Sequence, residues 1–120
     1  MKIAQMKQMK QWVMQGAVAA ALVAGTLGAA HADVGDGLKV ARSNACMGCH
    51  AVDRKLVGPS FKDIAVRYRS DPQAVPKLSK KVKEGGAGVW GAIPMPAHPR
   101  MSDADVRSVV EWVLAGAPSK

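Results

Sequence analysis

The 120-residue chain carries 17 Lys and Arg against 9 Asp and Glu, a formal net charge of +8, with one Tyr, one Phe and two cysteines. That length supports one domain, and two cysteines exclude both a disulfide framework and a four-cysteine metal site. The positive balance is compatible with an acidic protein partner, a membrane surface or nucleic acid.

Residues 1–10 hold Lys2, Lys7 and Lys10 with no acid, and no charge occurs from Gln11 to Ala30. A basic stretch followed by an apolar one, closing on Ala30-His31-Ala32, has the form of a secretory signal peptide. Residues 1–32 are therefore expected to be cleaved before Asp33. The rival reading is a retained anchor, since an uncharged stretch of about 20 residues can span a bilayer. Against it, the stretch is rich in Ala and Gly, with Leu22 and Leu27 its only leucines. Residues 33–120 then form the mature domain, with 14 basic and 9 acidic side chains and a net charge of +5. For an exported chain so poor in Tyr and Phe, nucleic acid is the weakest of the three partners.

Helical spacing begins at Asp36, with Leu38, Ala41 and Ala45 on one face, and predicts a first helix that delivers Cys46 at its end. Cys46-Met47-Gly48-Cys49-His50 follows. Two thiols three positions apart, with an imidazole directly after the second, match the attachment signature of a c-type haem. Each thiol can form a thioether to a haem vinyl group, and the short turn brings His50 under the porphyrin as an iron ligand. Cys-x-x-Cys also occurs as a zinc half-site, a redox dithiol or a disulfide. Zinc needs a fourth ligand, for which only His98 and His31 remain, and a redox dithiol is expected beside a βαβ pattern that this chain lacks. Export supports the haem reading, because free vicinal thiols do not persist in an oxidising compartment such as the bacterial periplasm.

A short second helix is expected after Pro59, with Phe61, Ile64, Ala65 and Tyr68 on one face. A third starts at Asp71 as N-cap with Pro72 at the first helical position, buries Val75, Leu78 and Val82, and stops at Gly85-Gly86. The last opens with Ser102 as N-cap and Asp105 three residues on. Its stripe of Val106, Val109, Val110, Val113 and Leu114 faces a core, and Gly116 and Pro118 end it. No run alternates long enough for a strand, so the domain is predicted to be all-α, with about four helices. A domain this small builds a modest core, and an attached haem would supply a large apolar plate for it.

The second iron ligand separates a carrier from an enzyme or gas sensor. The candidates are Met47, Met95, Met101 and His98. Met47 lies inside the attachment turn, on the His50 side, and is excluded. Met95 stands in Ile93-Pro94-Met95-Pro96, where the prolines hold the backbone extended and outside helix or central strand. The Gly-rich approach from Gly85 to Gly91 lets this loop fold close over a ring. Met95 is therefore favoured over Met101 and His98, and ordinary packing of a methionine is the alternative. A soft thioether donor favours ferrous iron and raises the reduction potential.

Four segments carry a resemblance: Cys46 to His50, Val57-Gly58-Pro59-Ser60-Phe61-Lys62-Asp63, Gly88-Val89-Trp90-Gly91-Ala92-Ile93-Pro94-Met95-Pro96, and Glu111-Trp112-Val113-Leu114. In order and through nearly the whole mature domain, the chain resembles small bacterial class I cytochromes c of the c-551 type. The resemblance implies a small cytochrome c fold around one haem c, bound covalently at Cys46 and Cys49, with His50 and Met95 as axial ligands. It further implies a monomeric periplasmic electron carrier that serves respiratory partners such as a nitrite reductase, a peroxidase or a terminal oxidase. Pro59 resembles the proline whose carbonyl accepts from the haem histidine. Trp90 resembles the tryptophan whose indole N–H reaches a haem propionate, with core packing as its alternative. Ala92 and Ala97 depart from the pattern where relatives often have proline. His98 stands where relatives carry an asparagine that bonds the ligand sulfur; the two readings are an imidazole that makes the potential pH-dependent and, favoured over it, a solvent-exposed loop histidine.

On this reading the chain transfers single electrons, and Lys55, Lys62, Lys77, Lys80, Lys81 and Lys83 offer a basic surface that steers acidic partners. Two other classes remain. One is a haem enzyme or gas-binding protein in which Met95 is displaced or never bound. The other is a non-haem metal module built from Cys46, Cys49, His50 and His98.

Overall fold

A computed structural model describes residues 34–119, so the expected signal segment lies outside the described residues. Four helices follow one another: α1 (Val34–Ser43), α2 (Phe61–Tyr68), α3 (Ala74–Glu84) and α4 (Asp103–Leu114), with a 3₁₀ turn at Cys46–Gly48 between α1 and α2. Among the described residues there is no strand, only one antiparallel bridge between Gly86 and Met95. The all-α expectation holds.

The periodic stripe of α4 dictates the packing. Val106, Val109, Val110 and Val113 are buried, as is Trp112, and Leu114 is half-buried at the edge. Trp112 is wholly inaccessible, and its indole N–H is satisfied by the carbonyl of Pro118 at 2.9 Å. α1 lies directly on this helix: a Cβ added to Gly37 would stand 2.0 Å from Trp112 Cβ and 2.7 Å from the Ser108 carbonyl oxygen. Only a residue without a side chain allows that approach. Phe61, the first residue of α2, meets Trp112 edge-on with centroids 5.1 Å apart, which joins α2 to the same core.

The starts of α2 and α4 are chemically alike. Ser60 Oγ accepts from the Asp63 N–H at 3.0 Å, and Ser102 Oγ accepts from Asp105 N–H at 3.0 Å. Each hydroxyl satisfies one of the orphan donors of a first turn.

Two boundaries differ from the sequence expectation. α1 begins at Val34 and stops at Ser43, short of Cys46. Asn44 ends it, with both its backbone N–H and its side-chain amide donating to the Val40 carbonyl, and Ala45 then turns left-handed at φ 59°. Cys46 therefore opens a separate turn. α3 begins at Ala74, not after Asp71. Asp71 instead heads a β-turn: its carbonyl accepts from Ala74 N–H at 3.1 Å and its Oδ1 from Gln73 N–H at 2.8 Å. Proline's fixed φ suits the second position of such a turn as well as a helix start, so Pro72 did not discriminate. Val75, Leu78 and Val82 are only half-buried, because Leu78 and Val82 face a cleft.

Candidate haem site

The cleft is framed by the five segments that follow α1: the 3₁₀ turn, α2, α3, the loop that carries Met95, and α4. With its open mouth it measures about 1060 Å³, and its walls include Cys46, Cys49 and His50 from the 3₁₀ turn and its exit, and Val109, Val110 and Val113 from α4. Phe61, Ile64 and Tyr68 of α2, Leu78 and Val82 of α3, and the loop that carries Met95 complete it. Its predominantly apolar lining, with a few convergent donors, is the character of a cofactor pocket.

The attachment turn is built by its own backbone. The N–H groups of Cys49 and His50 both donate to the Cys46 carbonyl, at 3.2 and 3.0 Å, and Gly58 N–H donates to Cys49 carbonyl at 2.8 Å. The wrap places both sulfurs and the imidazole at one cleft. The two sulfurs are not joined to each other in a disulfide. Burial is the main influence that holds the Cys46 thiol above its ordinary value; a backbone hydrogen bond opposes it and the neighbouring Cys49 adds to it.

His50 is fixed on three sides. Its Nδ1 lies 2.7 Å from the Pro59 carbonyl oxygen. A carbonyl only accepts, so Nδ1 carries the hydrogen and donates it, which leaves the Nε2 lone pair for a metal. Phe61 stacks on the ring at 5.2 Å between centroids. Gly58 closes the remaining face, where a Cβ would stand 2.6 Å from Cε1.

Met95 lines the same cleft and is half-buried. Its backbone is clasped to Gly86 by two hydrogen bonds: Gly86 N–H to Met95 O at 3.0 Å and Met95 N–H to Gly86 O at 2.9 Å. Gly85 passes so close beneath that a Cβ would stand 2.4 Å from the Met95 carbonyl oxygen, and its φ is +68°. The two other candidates lie elsewhere. Met101 is buried in the core, while His98 is outside the cleft lining and is tied by its N–H to the Val82 carbonyl of α3 at 2.9 Å. Trp90 lines the cleft but is 39% exposed, with the Arg67 guanidinium 4.6 Å above its ring. It is not a core residue.

A flat apolar macrocycle with two vinyl groups and an iron that takes imidazole and thioether fits this donor set. A metal module on Cys46, Cys49, His50 and His98 does not, because no group of three or more such side chains is gathered among the described residues. No helix among those residues is long and apolar enough to cross a membrane.

Sequence reasoning missed two features that shape the site. The Gly86–Met95 clasp could have been suspected from a glycine pair before the Pro-Met-Pro segment, but pairing across such a loop has no local signature. The Arg67–Trp90 contact joins residues on separate elements and leaves no signal in spacing.

Comparison with known proteins agrees with this geometry. The cytochrome c family model matches residues 34–117. Cytochrome c-552 of Nitrosomonas europaea is 43% identical over 103 residues, which cover 86% of this chain and 93% of that protein. Cytochrome c-551 of Pseudomonas aeruginosa is 38% identical over 94 residues, covering 78% and 89% respectively. Among solved structures, wild-type Nitrosomonas europaea cytochrome c552 superposes with a TM-score of 0.64 at 43% identity, over 66% of this chain and 98% of that one. The class 1 cytochrome MtoD from Sideroxydans lithotrophicus ES-1 gives 0.63 at 30% identity, over 72% and 98%. A helical shell around an apolar cleft, a thiol pair with its adjoining imidazole, and relatives at about 40% identity lead to one conclusion: the chain belongs to the cytochrome c family, as a small class I electron carrier of the c-551 type with one covalent haem c and not as an enzyme.

Proposed function

We propose that this protein shuttles single electrons between periplasmic respiratory proteins, with its haem c attached at Cys46 and Cys49 and its iron held by His50 and Met95. The observation that carries the reading is the pairing of two backbone-fixed donors in one apolar cleft: His50, oriented by the Pro59 carbonyl at 2.7 Å, and Met95, clasped to Gly86. When bound, the haem supplies a one-electron Fe(II)/Fe(III) couple. The chain's part is to keep both donors still and to exclude water with the valines of α4. The Pro59 hydrogen bond keeps the imidazole in one tautomer and raises its basicity. In this reading Trp90, which lines the cleft, donates its indole N–H to a propionate.

The partner surface follows from what surrounds the cleft. Leu56, Val57, Val89 and Ile93 are exposed apolar side chains, 40% to 67% accessible, and all but Leu56 line it. Of the six lysines in the basic surface, Lys77, Lys80 and Lys83 are paired with Asp71, Glu84 and Asp103. Among the described residues Lys55, Lys62 and Lys81 have no ion pair, and they carry the steering charge. An apolar patch with such a rim suits brief encounters with acidic partners, of the kind a nitrite reductase, peroxidase or terminal oxidase would offer.

In this proposal residues 1–32 direct export and are removed, and residues 33–120 act as a monomer. The test is protein matured in a host competent for haem attachment and recovered from the periplasm. N-terminal sequencing should begin at Asp33, the colour should stay with acid-extracted polypeptide, and the ferric form should show the methionine-sulfur charge-transfer band in the near infrared. Absence of that band, or ready binding of carbon monoxide by ferrous protein, would exclude Met95 ligation.

A further inference from the structure

We infer that Arg67 is a positioning residue for the ligand loop: it clamps the Val89–Trp90 segment from outside and thereby sets how often the Met95 side of the cleft opens. The inference rests on the His/Met reading above only for what opening does to the iron.

Between the two ends of the Gly86–Met95 clasp, every residue from 87 to 94 is exposed. The loop therefore gains little from burial of its own side chains. Gly88 and Gly91 both have positive φ, at 105° and 126°, and a Cβ on either would meet nothing within 4 Å. Such a segment loses much conformational entropy on ordering. Within it, Gly88 N–H donates to Gly91 O at 2.8 Å, which shapes the loop without anchoring it. Among the described residues, the one hydrogen bond that reaches residues 87–94 from outside comes from Arg67, whose Nη1 lies 3.0 Å from the Val89 carbonyl oxygen. The same guanidinium sits 4.6 Å over the Trp90 ring.

Arg67 can act as an anchor because its own base is rigid. It stands in the last turn of α2, the helix whose first residue, Phe61, contacts both His50 and Trp112. One rigid helix therefore touches the proximal imidazole at its start and the distal loop at its end. A planar guanidinium makes the stacking and the hydrogen bond together, which an ammonium does less well.

The test compares Arg67→Gln, Arg67→Lys and, as a charge-matched control two residues away, Arg69→Gln, all as ferric holoprotein. An exposed cation–π contact at the low end of its range and a solvent-exposed hydrogen bond of ordinary strength together correspond to about tenfold in an opening equilibrium. Arg67→Gln is expected to speed cyanide replacement of the methionine about tenfold and to speed amide exchange at residues 88–93 by a similar factor. Arg67→Lys should fall between Arg67→Gln and wild type, Arg69→Gln should match wild type, and the global guanidinium midpoint should barely move. Unchanged exchange in Arg67→Gln, or acceleration matched by an equal loss of global stability, would overturn the inference. Should wild-type protein lack the near-infrared band, the His/Met reading fails separately. The amide exchange, which does not depend on the ligand, still decides the role of Arg67.

Discussion

Gly37 and Trp112 cross so closely that α1 and α4 share a contact which no side chain at position 37 can enter. The glycine is helical, so its substitution tests space and not backbone strain. Gly37→Ala, a change that favours most helices, is expected to cost about 3 kcal/mol by forced separation of the pair. A denaturant midpoint at or above that of wild type would show that the crossing relaxes freely.

Gly58 has the same relation to His50. A methyl group 2.6 Å from Cε1 must push the imidazole away from the Pro59 carbonyl. Gly58→Ala is expected to keep the haem, raise the reduction potential because a weaker Nδ1–H bond leaves the imidazole a less basic donor to ferric iron, and destabilise the domain by about 1–3 kcal/mol. Measurement is by voltammetry and denaturant unfolding of the holoprotein. An unaltered potential would mean that this second nitrogen does not tune the iron.

Met95 contributes its side chain to the cleft and its backbone to the clasp. Met95→Ala should therefore abolish the near-infrared sulfur band and let ferrous protein bind carbon monoxide, while the helical circular dichroism stays unchanged. Persistence of the band would transfer the ligand role to another residue.

Removal of haem should unfold the domain. The cleft of about 1060 Å³ is walled by Val109, Val110 and Val113, which also form the core, so emptying it exposes the central stripe of α4. A domain of this size has little reserve to offset that loss. Haem-free protein is expected to show no cooperative thermal transition; a sharp one would count against the prediction.

Asp71 carries a pH dependence with a definite sign. The hydrogen bond from Lys77 Nζ at 2.6 Å, helped by the Gln73 N–H, holds its carboxyl below the ordinary value. A lowered native pKa means that the unfolded chain binds the proton first as pH falls. The stabilisation is complete above the usual carboxylate range and is lost as pH drops through the native value. Asp71→Asn should lose near neutrality the same small, solvent-screened stabilisation that wild type loses on the acid limb, so that the two proteins converge at low pH. Urea midpoints taken from neutral to acid pH in both proteins check it, and parallel curves would refute it.

Much of this site is readable from local chemistry. Cys46, Cys49 and His50 are adjacent in sequence, so their joint presence at one cleft follows from a single turn. The α4 stripe is readable because helix period and core burial coincide there. Proline was ambiguous: Pro72 fits a turn or a helix start equally, and a side-chain bond from Asp71 decided for the turn. What the chain could not reveal are approaches between distant segments, such as Gly37 against Trp112 or Arg67 against Trp90, which depend on how whole helices pack.

The Gly86–Met95 clasp uses main-chain atoms alone, and so it is indifferent to the chemical nature of residue 95. The scaffold thereby separates two tasks that many metal sites combine: holding the strap in place, and choosing the atom it presents. Under the proposed ligation, a histidine, lysine or non-ligating residue could be exchanged at that position on an unaltered backbone clasp, which would make the redox character of the centre adjustable by one codon without redesign of the fold.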